Sequence, residues 1–201
     1  MNFPGLWFPS AGFWGRLDGT HTDLDMSEPT IEYRLAGPDD ALCIAVLAMQ
    51  VFLDTYTLSG MRPDLARESL EVYAPEAFAQ RLHDPATAFI VAERAGHLIA
   101  FAEITLNRVP PHEAKPGAAE LVRLYVQRHF KRMGLGRELL GRAEALARSR
   151  AATSLWLTTW SGNTAARAFY PTQGYRDIGV TSYMIQGHSY ENRAFSKMLA
   201  L

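Results

Sequence analysis

The chain has 201 residues, 48% of them hydrophobic, with a net charge of −1 and one cysteine. This is enough apolar material for one ordinary globular core, and the near-zero charge argues against a nucleic acid or a membrane surface as partner. The lone Cys43 excludes an intramolecular disulfide and makes a reducing, cytoplasmic compartment the expectation.

Residues 1–25 are rich in Gly, Pro and aromatic residues, with no basic n-region and no unbroken apolar run, so they do not read as a signal peptide. Met26 opens an ordinary-looking start, so we expect one domain over 26–201, with 1–25 either a flexible extension or a stretch upstream of a translation start at Met26. No apolar stretch reaches the roughly 18 residues of a membrane span. Thr30–Leu35 alternates and reads as a strand, followed by Gly37-Pro38-Asp39-Asp40 as a helix start. Ala41–Leu53 has helical spacing, and its stripe Leu42, Ala45, Val46, Met49 would carry Cys43 into the core. Pro63–Tyr73 and Pro75–His83 each begin with a proline suited to a first helical turn. Ala88–Glu93 and His97–Asn107 flank Arg94-Ala95-Gly96 as a hairpin, and Val109–Gly117, with Pro110, Pro111 and Pro116, is a loop.

Ala119–Val126 is the next strand. It feeds a basic segment, Arg128-His129-Phe130-Lys131-Arg132-Met133-Gly134-Leu135-Gly136, and then a helix to Arg148. In that helix Leu135, Leu139, Leu140, Ala143, Leu146 and Ala147 recur at three- and four-residue intervals, leaving Arg137, Glu138, Arg142 and Arg148 on the wet side. A strand leading through a glycine-bearing basic loop to a helix N-terminus is an anion-binding arrangement: glycines let the backbone approach, and unpaired N–H groups face the oxygens. A dinucleotide fingerprint would need Gly or Ala where Leu139 stands, and a P-loop would need Lys-Ser/Thr where Arg142 and Ala143 stand. Positive charge gathers locally, at Arg123, Arg128, Lys131, Arg132, Arg137, Arg142, Arg148 and Arg150, which suits a small polyanion. Ser154–Trp160 is a strand, Asn163–Pro171 a short helix, and Tyr175–Gln186 and Asn192–Leu199 are the last strands.

Read with Asn163-x-x-Ala166-x-x-Phe169-Tyr170-x-x-x-Gly174-Tyr175, the basic loop resembles the acetyl-CoA site of the GNAT (Gcn5-related N-acetyltransferase) superfamily. The resemblance runs from about residue 30 to residue 200. Its loop motif is Gln/Arg-x-x-Gly-x-Gly/Ala; here Lys131 takes the first place and supplies a point charge without the bidentate fork. The resemblance implies an α/β fold with a central, mostly antiparallel mixed sheet and helices on both faces. It implies acetyl-CoA as co-substrate, held by Lys131, Arg132, Met133, Gly134, Leu135, Gly136 and Arg137 at the phosphates. Leu124, Tyr125, Val126 and Asn163 would lie along pantetheine, the strand offering an N–H to the thioester oxygen. Tyr170 would protonate the departing thiolate, and Glu120 would act as base through water, with Glu103 on the neighbouring strand as second candidate.

Asn163 and Tyr170 lie almost two turns apart, so they share one helix face. Pro171 directly after Tyr170 restricts its backbone and removes a helical donor. The order of segments and the ending Gly187–Asn192 are similar to the polyamine N-acetyltransferase-like branch, with Asp54, Asp64, Glu68 and Glu71 offering charge to a cationic amine, or else forming wet helix faces. A small amine such as a polyamine is the expected acceptor. A peptide N-terminus of ribosomal-protein type and a non-catalytic acetyl-CoA-binding module are the alternatives, and a homodimer is an allowed assembly. His21, His83, His97, His112, His129 and His188 show no i, i+4 pairing and no cysteine companions, so no metal site is expected. Ser161 and Asn163 are read as caps of the short helix. His112 and Glu113 either border the acceptor pocket or are solvated.

Overall fold

The structure, a computed structural model, describes residues 30–113 and 116–200. The expected extension over 1–25 and the start at Met26 therefore lie outside the described residues. Strand β1 (Ile31–Leu35) leads through a single 3-10 turn into α1 (Ala41–Tyr56), α2 (Pro63–Val72) and α3 (Pro75–His83). The hairpin β2 (Thr87–Arg94) and β3 (His97–Thr105) follows, then β4 (Ala118–Val126) and α4 (Leu135–Ser149). The chain finishes with β5 (Ser154–Trp160), α5 (Thr164–Thr172), β6 (Arg176–Ile185) and β7 (His188–Met198). Among the described residues no helix is long and apolar enough to cross a membrane.

The 7-stranded sheet has the order β1-β2-β3-β4-β5-β7-β6. All its neighbours are antiparallel except β4 and β5. Period-two alternation splits the sheet residues between two layers. Phe89, Val91 and Phe101 meet α1, α2 and α3 through Ile44, Leu47, Phe52, Leu65 and Phe78 on one face. Ile90, Ala102, Ile104, Leu155 and Leu157 meet α4 through Leu135, Leu139, Leu140 and Ala143 on the other, with Tyr170 of α5 beside them. The mixed sheet with helices on both faces is thus the observed architecture.

Two sequence-based expectations are corrected. The buried stripe of α1 is Ile44, Ala45, Leu47, Ala48, Val51 and Phe52, while Leu42 and Val46 are 60% and 59% exposed and Cys43 is exposed. This helix is apolar on most of its circumference, so spacing alone left its phase open, and the face carrying Ile44 and Phe52 turned to the sheet. Strand β7 begins at His188, not Asn192. Gln186 and Gly187 take positive φ values of 47° and 85° and close a two-residue hairpin turn, and His188–Glu191 pair with β6 although their polar side chains carry no apolar alternation.

The feature that positions the site is a break in pairing. β4 and β5 are matched only over Ala118–Glu120 and Ser154–Trp156. Beyond that point β4 stays paired with β3, but a bulge skips Val122, since Glu103 faces Arg123 and Ile104 faces Leu121. A bulge bends the strand and steepens its twist, and the two parallel strands diverge.

Phe78 is fully buried, its ring 6.1 Å from that of Phe89 and 6.4 Å from those of Tyr73 and Phe101. Phe78→Ala should destabilise the protein by about 3–5 kcal/mol, read as a lower urea midpoint with an unchanged slope.

Candidate active site

A cavity of about 580 Å³ occupies the gap between β4 and β5. Of the site residues expected from the sequence, Glu120, Leu124, Tyr125, Val126, Lys131, Arg132, Gly134, Leu135, Gly136, Arg137, Asn163 and Tyr170 all line it. Met133 does not; it is 48% exposed.

The loop before α4 is built to leave donors open. Gly134 is the N-cap at φ 82°, a left-handed conformation that glycine adopts without strain, and no side chain caps the helix. The Arg137 and Glu138 N–H groups donate to the Gly134 carbonyl at 3.1 Å. Those of Leu135 and Gly136 have no protein acceptor among the described residues. A Cβ added at Gly136 would meet only the Phe169 ring, at 4.0 Å, so the space over the first helical turn is open. Lys131, Arg132 and Arg137 stand around it.

Across the gap, Asn163 caps α5, its Oδ1 accepting the Ala166 N–H at 3.1 Å. The group left to it for a ligand is the Nδ2 donor. Ser161 does not share the capping; its hydroxyl donates to Glu191 at 2.8 Å. Tyr170 is 8% exposed and packed by Phe169, Tyr175 and Phe195 at ring separations of 5.3, 5.8 and 5.8 Å. Burial pushes its phenol above the ordinary tyrosine value. Pro171 lies inside α5, and the helix still runs to Thr172.

The two candidate bases separate cleanly. Glu103 is 1% exposed and ion-paired with Arg123 and, at 3.2 Å, with Arg81. It is a buried counter-ion outside the cavity wall. Glu120 is half-buried in the wall, and loss of water raises its carboxyl above the usual glutamate range. Arg108 and Arg123 pull it back, while Glu103 pushes the same way as burial.

The acids expected around an amine entrance are mostly committed elsewhere. Asp64 is clamped by Arg62 at 2.6 Å, Glu68 accepts the Tyr183 hydroxyl at 2.7 Å, and Glu71 accepts from Gln186 at 3.0 Å. The last two of these bonds fasten α2 to the β6–β7 hairpin. Asp54 is exposed. His112 and Glu113 likewise tie their loop to β6: the His112 Nε2 donates to the Val180 carbonyl at 2.6 Å and Glu113 pairs with Arg176. Sequence reasoning missed the wall formed by Tyr56, Tyr73, Thr158, Trp160, Tyr183 and Asn192. No motif marks it; these residues come from separate elements that only the sheet brings together.

The cavity passes from one sheet face to the other. Tyr170, Phe169 and the α4 N-terminus belong to one layer, and Tyr56, Tyr73 and Tyr125 to the other. The acetyltransferase (GNAT) family matches this chain over residues 52–175. The chain belongs to that family. A relative described as an uncharacterized N-acetyltransferase in the pepI 3' region of Lactobacillus delbrueckii subsp. lactis is 23% identical over 64% of this chain and 74% of its own. Among solved structures, the PaiA N-acetyltransferase from Thermoplasma acidophilum in complex with coenzyme A has a TM-score of 0.63 at 20% identity, covering 82% of this chain and 98% of that one. Ribosomal-protein-alanine N-acetyltransferase from Brucella melitensis has a TM-score of 0.59 at 22% identity, covering 84% and 99%. Both share the GNAT fold with this acetyltransferase.

Because burial raises Glu120, the folded state holds its proton more tightly than the unfolded chain does, so its contribution to stability is lost as pH rises through the folded pKa. Glu120→Gln should therefore be the more stable protein near neutral pH, with the difference closing below the ordinary glutamate value of about 4.3. Thermal midpoints of both proteins across pH check this; a constant gap contradicts it.

Proposed function

We propose that this GNAT acetyltransferase carries an acetyl group from acetyl-CoA directly to a primary amine in a ternary complex, the acceptor being a small amine of polyamine type. The observation that carries this reading is the cavity itself. It joins a helix N-terminus with open N–H groups on one sheet face to a half-buried carboxylate and an aromatic wall on the other, so two substrates can enter from opposite faces and meet in the gap. Acetyl-CoA supplies the activated thioester; the chain supplies the rest.

Lys131, Arg132, Arg137 and the Leu135 and Gly136 N–H groups hold the phosphates. The edge of β4 from Leu124 to Val126, released from β5, pairs with the pantetheine arm together with Asn163 Nδ2. Glu120, through water, takes a proton from the acceptor ammonium, freeing the lone pair that attacks the thioester carbon. An N–H of β4 meets the charge growing on the thioester oxygen. As the C–S bond breaks, Tyr170 gives its proton to the sulfur, and the second proton, which the nitrogen sheds on becoming an amide, passes through water to restore the phenol. The dry setting that raises the phenol also raises a thiolate emerging beside it, so burial does not oppose that transfer.

Gly136→Val should fold, since the new Cβ has room, yet its branches stand where the phosphates are placed. Calorimetry should show acetyl-CoA binding weaker by at least about tenfold, or 1.4 kcal/mol; unchanged affinity in the folded variant removes this loop from the site.

The reaction is tested with a panel of primary amines and short peptides, detecting free thiol. Thiol release only when an amine is present marks a transferase, and the acetylated product identifies small amine or peptide N-terminus; binding without turnover marks a sensor. In the same assay Tyr170→Phe should lose about 10²- to 10⁴-fold in kcat while acetyl-CoA affinity changes little. A variant within about threefold of wild type, with chemistry rate-limiting, makes Tyr170 structural.

A further inference from the structure

The half of the cavity on the α1–α3 face is bounded by Tyr56, Tyr73, Tyr125, Trp160, Tyr183 and Asn192. Tyr56 is set against Trp160, with ring centroids 5.4 Å apart. Asn192 is 7% exposed. In β7 it pairs opposite Trp160, so its side chain leaves the sheet on the Trp160 side, where its Nδ2 reaches the Thr158 hydroxyl at 3.5 Å. Its Oδ1 has no hydrogen-bond partner among the described residues. Buried amide oxygens are paired in native folds with few exceptions; Asn192 lines the cavity, and a small turn of its amide brings this buried oxygen to a donor carried by a ligand.

Charge narrows what that donor is. The guanidinium in this half of the wall, Arg123, is held by Glu103. Arg62, outside the wall, is clamped by Asp64 while donating to the Tyr190 hydroxyl. Arg108 lies outside the wall and acts on Glu120. What the cavity offers here is the Asn192 oxygen, the Glu120 carboxylate and the ring faces, and all of these complement a cation.

We propose that Asn192, with Tyr56, Tyr125, Trp160 and Tyr183, forms an ammonium subsite that selects alkyl amines lacking a carboxylate. Asn192 Oδ1 accepts an N–H of the incoming amine, and the rings receive its methylene surface and its charge. An amine with its own carboxylate finds no uncommitted cation among the described residues of this wall and meets Glu120 instead. The proposal rests on the acetyl-transfer reading only in calling this half of the cavity the acceptor side.

The test is calorimetric binding to the CoA-saturated protein of butylamine and of 4-aminobutanoate, which share a four-carbon chain and differ in the carboxylate. Butylamine should bind at least about tenfold more tightly, and Asn192→Leu should lose about tenfold in butylamine affinity while CoA affinity stays the same. Asn192→Asp, whose side chain has only acceptors, should keep or improve butylamine binding, and it decides the matter if the leucine variant does not fold. Failure of butylamine to bind, equal affinity for the two probes, an unaffected leucine variant, or weaker binding by the aspartate variant each overturns the subsite. A loss shared equally by CoA also overturns it, since Asn192 would then serve pantetheine. Binding in the expected pattern without turnover of any amine leaves the subsite standing and removes the transferase reading.

Discussion

Everything at the site depends on a hydrogen-bond ladder that stops early. β4 and β5 share only the pairing of Ala118–Glu120 with Ser154–Trp156, so the later residues of β4 carry backbone donors and acceptors with no strand opposite. Such groups are costly where water is excluded. β4 tolerates this because its other edge stays bonded to β3 through Val126 and its side chains are packed into both helix layers. β5 is secured in the same way by β7 along its whole length. The gap is thus an opening between two strands each anchored from behind, and an extended amide-bearing molecule could satisfy the edge that β5 abandons.

The bulge at Val122 has a chemical partner beneath it. With Val122 skipped, Arg123 faces Glu103 in the β3 register, and the buried pair gains a second guanidinium from Arg81 of α3. Arg81 lies 4.1 Å over the Phe78 ring, and Arg123 lies 5.5 Å from the Tyr73 ring. A buried ion pair is weak evidence of net stabilisation, but through Glu103 it ties Arg123, the residue after the bulge, to Arg81 of α3 and so holds the bend in β4. It also sets the field around Glu120, where the Glu103 charge and the Arg123 charge act in opposite senses.

Local chemistry was readable from the sequence, and assembly was not. The stripe from Leu135 to Ala147 was legible because α4 has a polar side to contrast with it. The loop at Gly134 and Gly136 and the run from Asn163 to Tyr170 were legible because each is a spacing within one stretch of chain, and the fold brings both to one cavity. α1 lacks that polar contrast, so its phase, and the exposure of Cys43, came from packing. Glu103 and Glu120 look alike as strand glutamates; what separates them is Arg81 and Arg123, which reach Glu103 from a helix and a neighbouring strand. The wall around Asn192 was unreadable for a similar reason, since α1, the segment at Tyr73, β5, β6 and β7 each supply only one or two of its residues.

The hairpin of β6 and β7 is fastened to α2 by the bonds from Tyr183 to Glu68 and from Gln186 to Glu71, and to the residue capping α2 by Arg62 donating to the Tyr190 hydroxyl. The anion loop and Tyr170 belong to the stretch ending at Tyr175, before this hairpin begins. The acceptor half of the cavity is shared: Tyr56, Tyr73, Tyr125 and Trp160 belong to the earlier stretch, and the hairpin adds Tyr183 and Asn192. On the proposed reading, the donor chemistry is a fixed engine and the hairpin with α2 is an exchangeable faceplate. Substitutions confined to β6, β7 and the outer turn of α2 can redraw which amine is admitted without touching the loop, the bulge or the phenol.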